Sequence, residues 1–418
     1  MKIQPPYHIR HIYLQEAPAP IYSHPLTTGS YLVFWWNDIA LGDLYLEPNR
    51  KLSEKGYYKI IKQAILPALR FYASGQQHLQ PDWNKLLPDD NYKAWITTLE
   101  AVFLNYTSAI VAARVPVSVI ICTHNRARQL QQCLTNLSKL ACLAAEIIVV
   151  DNAPLDEATE LIVKQFTYAG NMVYVRESRK GLDIARNTGL KHAAYPIVAF
   201  VDDDVAVHRL WLHHVWESFK NPAIAAMTGL VLASELQTEA QCIFEKHWSF
   251  NRGYADKVYT KRFLFKTHAQ GPPVWEIGAG ANMAFRKNVL KATGTFNELL
   301  DAGAAGCSGD SELWYRLLLH GYTIHYNPRA IVFHQHRKDI RSLRKQIFYY
   351  MRGHAAAALI QQKQYKRAAY TQHLVRLLFK GYPRSILKGF PGYRYRYTTL
   401  WAQMSGVLSG LIFYYKNR

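Results

Sequence analysis

Between Val115 and Asp204 short apolar runs alternate with longer amphipathic ones, and this alternation restricts the fold more than any other feature. Val117-Ser-Val-Ile-Ile-Cys122, Glu146-Ile-Ile-Val-Val150, Asn171-Met-Val-Tyr-Val175 and Pro196-Ile-Val-Ala-Phe-Val201 are rich in β-branched residues and lack a helical period. Each predicts a buried strand. Helices are expected between them: after the polar turn Thr123-His-Asn-Arg126 to about Leu140, from about Leu155 to Phe166, and from about Gly181 to Ala193. Strands and helices alternating at these lengths predict an α/β unit with a mainly parallel sheet. Ligands of such sheets bind beyond the carboxyl ends of the strands. Thr123, Asp151 and Asp202 all fall at those ends, so three segments distant in sequence should meet at one crevice.

Asp202-Asp203-Asp204 directly follows the fourth run. Three adjacent like charges need either water or a compensating cation. Hard oxygen ligands suit Mg²⁺ or Mn²⁺, with substrate phosphates completing the shell. The plainer alternative is a solvated acidic turn.

The 418 residues allow two or three domains. Residues 1–114 read as an accessory unit of unknown role, with an apolar strand over Ser30–Trp36, helices such as Gly56–Ala73, and a polar loop over Pro81–Asp90. Trp35, Trp36 and Trp83 suggest either core packing or a sugar-stacking surface. Residues 115–340 form the α/β unit. Residues 341–418 are expected to be mostly helical, and they carry 15 Lys and Arg with no Asp or Glu. Such a segment suits an anionic surface, and the run Gly406–Tyr415 suits an interfacial helix. No uninterrupted apolar stretch is long enough to span a bilayer. The N-terminus lacks the apolar core of a secretory signal, and five cysteines without metal-type spacing fit reduced thiols. A cytoplasmic protein is expected, peripheral at the inner face of the cell membrane.

Five segments then fall in a familiar order: Val119-Ile-Ile-Cys-Thr-His-Asn-Arg126, Ile148-Val-Val-Asp-Asn152, Gly181-Leu-Asp-Ile-Ala-Arg-Asn-Thr-Gly189, the aspartate triplet, and Gly309-Asp-Ser-Glu-Leu313. Over about residues 115–340 the chain resembles the family 2 glycosyltransferases. That resemblance implies a GT-A (Rossmann-like) fold with a mixed, mainly parallel sheet, and inverting, metal-dependent sugar transfer from a nucleoside-diphosphate donor. It implies that Thr123, Asn125 and Arg126 cradle the nucleotide, with Arg126 either meeting the diphosphate or simply opening a helix. By the same likeness Asp151 accepts from the base edge or caps the next helix, and Arg186 stands near the diphosphate or sugar.

The triplet corresponds to the family's metal motif. Asp204 would bridge Mn²⁺ or Mg²⁺ to the diphosphate, Asp202 would meet the ribose or the metal shell, and Asp203 would join the donor site. Asp310 aligns with the general base, although it would equally serve as the N-cap of the following helix. Many relatives have Glu-Asp where this chain has Gly309-Asp310, a missing carboxylate for which Glu312 is the expected partial substitute. Asp183 is a second departure, since small or polar residues are usual there. Asn282, in Gly278–Phe285, would line the sugar or acceptor pocket or make a buried structural bond. The alternating run Ala330–His336 puts His334 and His336 on one face, with His334 a further metal ligand or a packing residue.

The expected partners are a nucleotide-sugar donor, a glycan or lipid-linked acceptor and an anionic membrane surface, without nucleic acid. Two other readings compete: a nucleotidyltransferase that makes the activated sugar, and a non-enzymatic binder of acidic polymers.

Overall fold

The computed structural model describes residues 4–16, 27–50, 52–74, 92–107 and 110–417. Trp83 and the loop expected over Pro81–Asp90 lie outside them. The N-terminal unit comprises β1 (Tyr7–Tyr13), β2 (Gly29–Trp36), β3 (Ile39–Leu46), α1 (Glu54–Ser74) and α2 (Tyr92–Thr107). β2 is the middle strand, parallel to β1 and antiparallel to β3. Successive side chains of a strand face opposite ways. Leu32, Phe34 and Trp36 therefore pack with Ile61, Tyr72 and Phe103, while Tyr31, Val33 and Trp35 pack against Leu232, Phe244 and Ile331 of the next unit. Trp35 and Trp36 are only 2% and 3% exposed. Both are packing residues, not a sugar-stacking surface.

The α/β unit begins with β4 (Arg114–Thr123), α3 (Ala127–Ser138), β5 (Leu143–Asn152), α4 (Ala158–Gln165), β6 (Asn171–Glu177), α5 (Leu182–His192) and β7 (Ile197–Asp202). These bounds lie within a few residues of those expected. The order β7-β4-β5-β6 is parallel throughout. Both faces are covered: Ile120, Ile148 and Phe200 enter one core, and Val119, Ile121, Ile147 and Val149 the other. Continuous rather than alternating apolar runs are what such two-sided burial requires.

Beyond Asp202 the sheet becomes mixed. The elements are β8 (Val205–Val207), α6 (Trp211–Lys220), β9 (Ile224–Ala233), α7 (Glu239–Trp248), β10 (Lys257–Tyr259), α8 (Lys261–Thr267), β11 (Asn282–Arg286), α9 (Lys287–Thr293), α10 (Gly309–Leu319) and β12 (Thr323–His334). β11 runs antiparallel between β7 and β9, and β12 is parallel to β9 but antiparallel to β8 and β10. One register matters most for the site. Val205, directly after the aspartates, is paired with His334.

The basic C-terminal segment is helical, as expected, with α11 (Ile340–Gln364), α12 (Tyr370–Arg376), α13 (Tyr382–Gly389) and α14 (Leu400–Lys416). It is not a detached tail. Ala355, Leu359, Tyr370, Leu374 and Val407 belong to the same core as Leu313 and Trp314 of α10. α14 crosses α11 closely, because a Cβ on Gly406 or Gly410 would collide with the carbonyl oxygens of Phe348 and Arg352. The run expected to lie in an interface is thus packed on one side. Its other side, with α13 and the turns on either side of α13, exposes Phe379, Leu387, Phe390, Trp401 and Ile412.

Candidate active site

The carboxyl ends of β4, β5 and β7 open into a cavity of about 1260 Å³. Small-molecule sites typically occupy about 300–1,000 Å³, so there is room for two reactants. Thr123, His124, Arg126, Asn152, Lys180, Asp183, Arg186 and Asp202–Asp204 line one side. Ala279–Ala281, Asp310 and His334 line it further, and Gln346, Tyr350, His354, His373, Tyr382 and Gln403 close the far wall.

Asp203 and Asp204 are the turn between β7 and β8, so their side chains diverge. Asp203 is buried; it accepts from the Thr123 hydroxyl at 2.7 Å and from Arg126 at 3.0 Å. Arg126 also donates to Asp204 Oδ2 at 3.0 Å. Asp203 therefore fastens the turn to β4 and α3, leaving Asp202 and Asp204 to face the cavity.

Asp202, Asp204 and His334 each offer a ligand atom, all within 4.8 Å of one another. Nε2 of His334 stands 3.8 Å from Asp204 Oδ1, too far for a hydrogen bond. Burial lowers the His334 imidazole to about 4, so it is neutral and has a lone pair to give. Asp183, Asp202, Asp203, Asp204 and Asp310 line this part of the cavity, with Arg126 and Arg186 beside the aspartates and Arg337 near His334. Burial pushes Asp202 up to about 7, with Arg186 opposing and Asp204 and Asp203 adding to the rise. Two carboxylates and an imidazole whose ligand atoms lie this close together fit a divalent cation.

Arg186 is itself buried. It donates to Asp183 Oδ1 at 3.0 Å and lies 3.8 Å from Asp202 and 5.3 Å from the Phe296 ring centre. Removing one partner of such a buried pair costs about 3–5 kcal/mol. Asp183 thus anchors the cation that serves the aspartates. Its carboxylate also fills the space beside Gly309, where any Cβ would clash with it. The two departures noted in the sequence meet in space, the Asp183 carboxylate of α5 occupying the volume that a side chain at 309 would take.

Asp310 is not the cap of α10. Ser308 holds that position with a left-handed φ of 82°, leaving Asp310 within the first turn. Its Oδ1 accepts from Ser311 N–H at 2.6 Å, and Oδ2 leans on Gly280 beside the Arg186 guanidinium.

Other expectations need correction. Asn125 is exposed and does not line the cavity; with φ of 55° it forms the turn, and its Oδ1 accepts from Leu155 N–H. Asn282 is fully buried, accepting from Trp211 and donating to Leu230 and Ala330, so its role is structural. Glu312 is also buried, held by Arg316 and Gln364, and cannot replace a carboxylate at 309. Asp151 lies at the end of β5 with no exposure, its Oδ2 accepting from Tyr174 at 2.9 Å and the Thr159 hydroxyl also facing the carboxylate. Its neighbour Asn152, not Asp151, reaches the cavity wall.

Sequence reasoning missed the far wall. His354 and His373 approach at 3.3 Å between Nε2 atoms, with the Trp275 ring 4.9 Å from His354. No local pattern marks these residues, since the segment that carries two of them is distinguished only by its charge.

Residues 118–294 match the family described as Glycosyl transferase family 2. This chain carries a family 2 glycosyltransferase domain. Glycosyltransferase AglE of Haloferax volcanii is 26% identical over 55% of this chain and 70% of that protein. A pre-mycofactocin glycosyltransferase of Mycobacterium tuberculosis is 28% identical over 58% of this chain, and chondroitin synthase of Escherichia coli 26% over 52%. The chain spans 47% and 34% of those two proteins. Among solved structures, the mannosyltransferase PcManGT of Pyrobaculum calidifontis, in complex with GDP-Man and Mn²⁺, is 17% identical with a TM-score of 0.45, covering 75% of this chain and 93% of that one.

Proposed function

We propose that this chain is a metal-dependent inverting glycosyltransferase that moves a sugar from a nucleoside-diphosphate donor to a hydroxyl of a glycan or lipid-linked acceptor. The observation that carries this reading is the meeting of Asp202, Asp204 and His334 with Arg126, Arg186 and the separate carboxylate Asp310 in one cavity. Asp202, Asp204 and His334 would hold Mn²⁺ or Mg²⁺, which when bound neutralises charge on the departing diphosphate. Arg126, half-exposed at the rim, is free to turn from its aspartates to a phosphate oxygen. Arg186, fixed by Asp183, keeps its charge facing Asp202 and Asp310.

Thr123, through Asp203, holds the turn under the donor. Asp310 takes the acceptor hydroxyl's proton as that oxygen bonds to the anomeric carbon. The sugar–phosphate bond breaks on the opposite side, and the nucleoside diphosphate leaves.

A panel of nucleotide sugars, with and without a chelator, tests the reading. Transfer that needs Mn²⁺ or Mg²⁺ is expected. Turnover restricted to a sugar 1-phosphate plus a nucleoside triphosphate would replace it with nucleotidyl transfer.

The reading includes a cytoplasmic enzyme adsorbed to the inner face of the membrane. Support comes from exposed Phe379, Leu387 and Phe390 beside Lys380, Arg384 and Lys388. Among the described residues no helix is long and apolar enough to cross a membrane. Apolar insertion combined with basic charge suits an anionic interface. The full chain should float with anionic vesicles but not neutral ones, and Phe379→Ser with Phe390→Ser should abolish this. Equal flotation with both vesicle types would refute it.

A further inference from the structure

His334 can offer Nε2 to a cation only if its ring proton sits on Nδ1, and we infer that His336 and Glu245 hold it there as positioning residues. The inference rests on the proposed metal corner and extends it by two residues from outside the five landmark segments. Nδ1 of His334 lies 3.2 Å from Nδ1 of His336, and Nε2 of His336 lies 2.7 Å from Glu245 Oε2. Glu245 Oε1 accepts from the Ser249 hydroxyl at 2.9 Å, and that hydroxyl accepts from Asn251 N–H at 3.0 Å.

An ionised carboxylate only accepts. His336 therefore donates from Nε2 to Glu245, and with that as its one ring proton its Nδ1 offers a lone pair to His334 at 3.2 Å. His334 must then donate from Nδ1, and its own Nε2 is left bare toward Asp204. The reverse order would put hydrogen on Nε2 of His334 and remove the ligand lone pair. A histidine ligand held through its second nitrogen is the usual way a protein fixes ring orientation.

The surroundings keep this chain of bonds rigid and dry. His336 has a side-chain exposure of 1%, and the Phe244 ring lies 4.5 Å from it. Phe250 stands edge-on to His334 at 5.5 Å. α7, which carries Glu245, opens with a capping box between Thr238 and Gln241. Gln241 also reaches the His336 carbonyl at 3.5 Å. On its outer side α7 packs against Tyr31, Val33 and Trp35 of β2, so the N-terminal unit braces the helix that carries Glu245.

The test is Mn²⁺ affinity of the full chain without donor, read from the EPR signal of free Mn²⁺. His336→Phe keeps the ring volume but gives no acceptor, and it should weaken binding about 10–100-fold. His336→Asn, whose carbonyl oxygen can accept from His334 Nδ1–H, should recover most of that loss. An Asn variant as weak as the Phe variant would reduce His336 to packing and overturn the inference. Wild-type affinity in His336→Phe, alongside weak binding in His334→Phe, would sink the positioning role and spare the metal site. Wild-type affinity in both would sink the metal corner as well. Should His336→Phe fail to fold, Glu245→Ala carries the same test, and unchanged affinity there overturns the inference.

Discussion

Asp310→Asn is expected to slow sugar transfer by about 10²–10⁴-fold, the contribution typical of a positioned base, while donor and metal affinities stay unchanged. The carboxylate is held by Ser311 N–H on one oxygen and leans on Gly280 with the other. An amide of the same shape can keep that position but cannot take a proton. The defect should therefore appear in kcat, measured at saturating donor, with calorimetry of donor binding as the control. Glu312→Gln makes the contrast: that side chain is tied to Arg316 and Gln364 and should change stability, not rate. Full transfer by Asp310→Asn would remove the proposed base.

Asp204→Ala should abolish metal-dependent turnover and weaken Mn²⁺ binding by more than the roughly 100-fold that outer partners of a metal site can cost. It deletes one of three clustered ligands and one of the two carboxylates that hold Arg126. Asp203→Ala should behave differently. Asp203 is buried and bonded to Thr123 and Arg126, so its loss leaves unpaired groups costing about 1–3 kcal/mol. A lowered melting temperature with a smaller loss of Mn²⁺ affinity is expected. Identical behaviour of the two variants, by EPR and thermal melting, would contradict the division of labour within the triplet.

Much of the α/β half was legible because local pattern governs it. A strand buried on both faces must be a continuous apolar run, and β4, β5 and β7 are or nearly are, while β6 at the sheet edge is only partly buried. Their carboxyl ends bring Thr123 and Asp202 to the cavity by topology, while Asp151, the third residue expected there, is buried and its neighbour Asn152 reaches the wall instead. Misassignments clustered where a polar side chain had two plausible partners. Asn282 and Glu312 looked like pocket residues because they neighbour the site in sequence. Burial turns them instead toward Trp211, Leu230 and Ala330, and toward Arg316 and Gln364. Asn125 reads as a nucleotide contact until its positive φ is known.

The sequence alone therefore determined the alternating strands and helices, the strand ends and the acidic corner, since each follows from periodicity or adjacency along the chain. Tertiary structure decided which aspartate faces the cavity and that Asp183 fills the space beside Gly309. It also laid His334 against Val205 and closed the far wall with α11–α13. These are contacts between segments far apart in the chain. Strand register and side-chain volume select them, and neither leaves a local mark in the residue order.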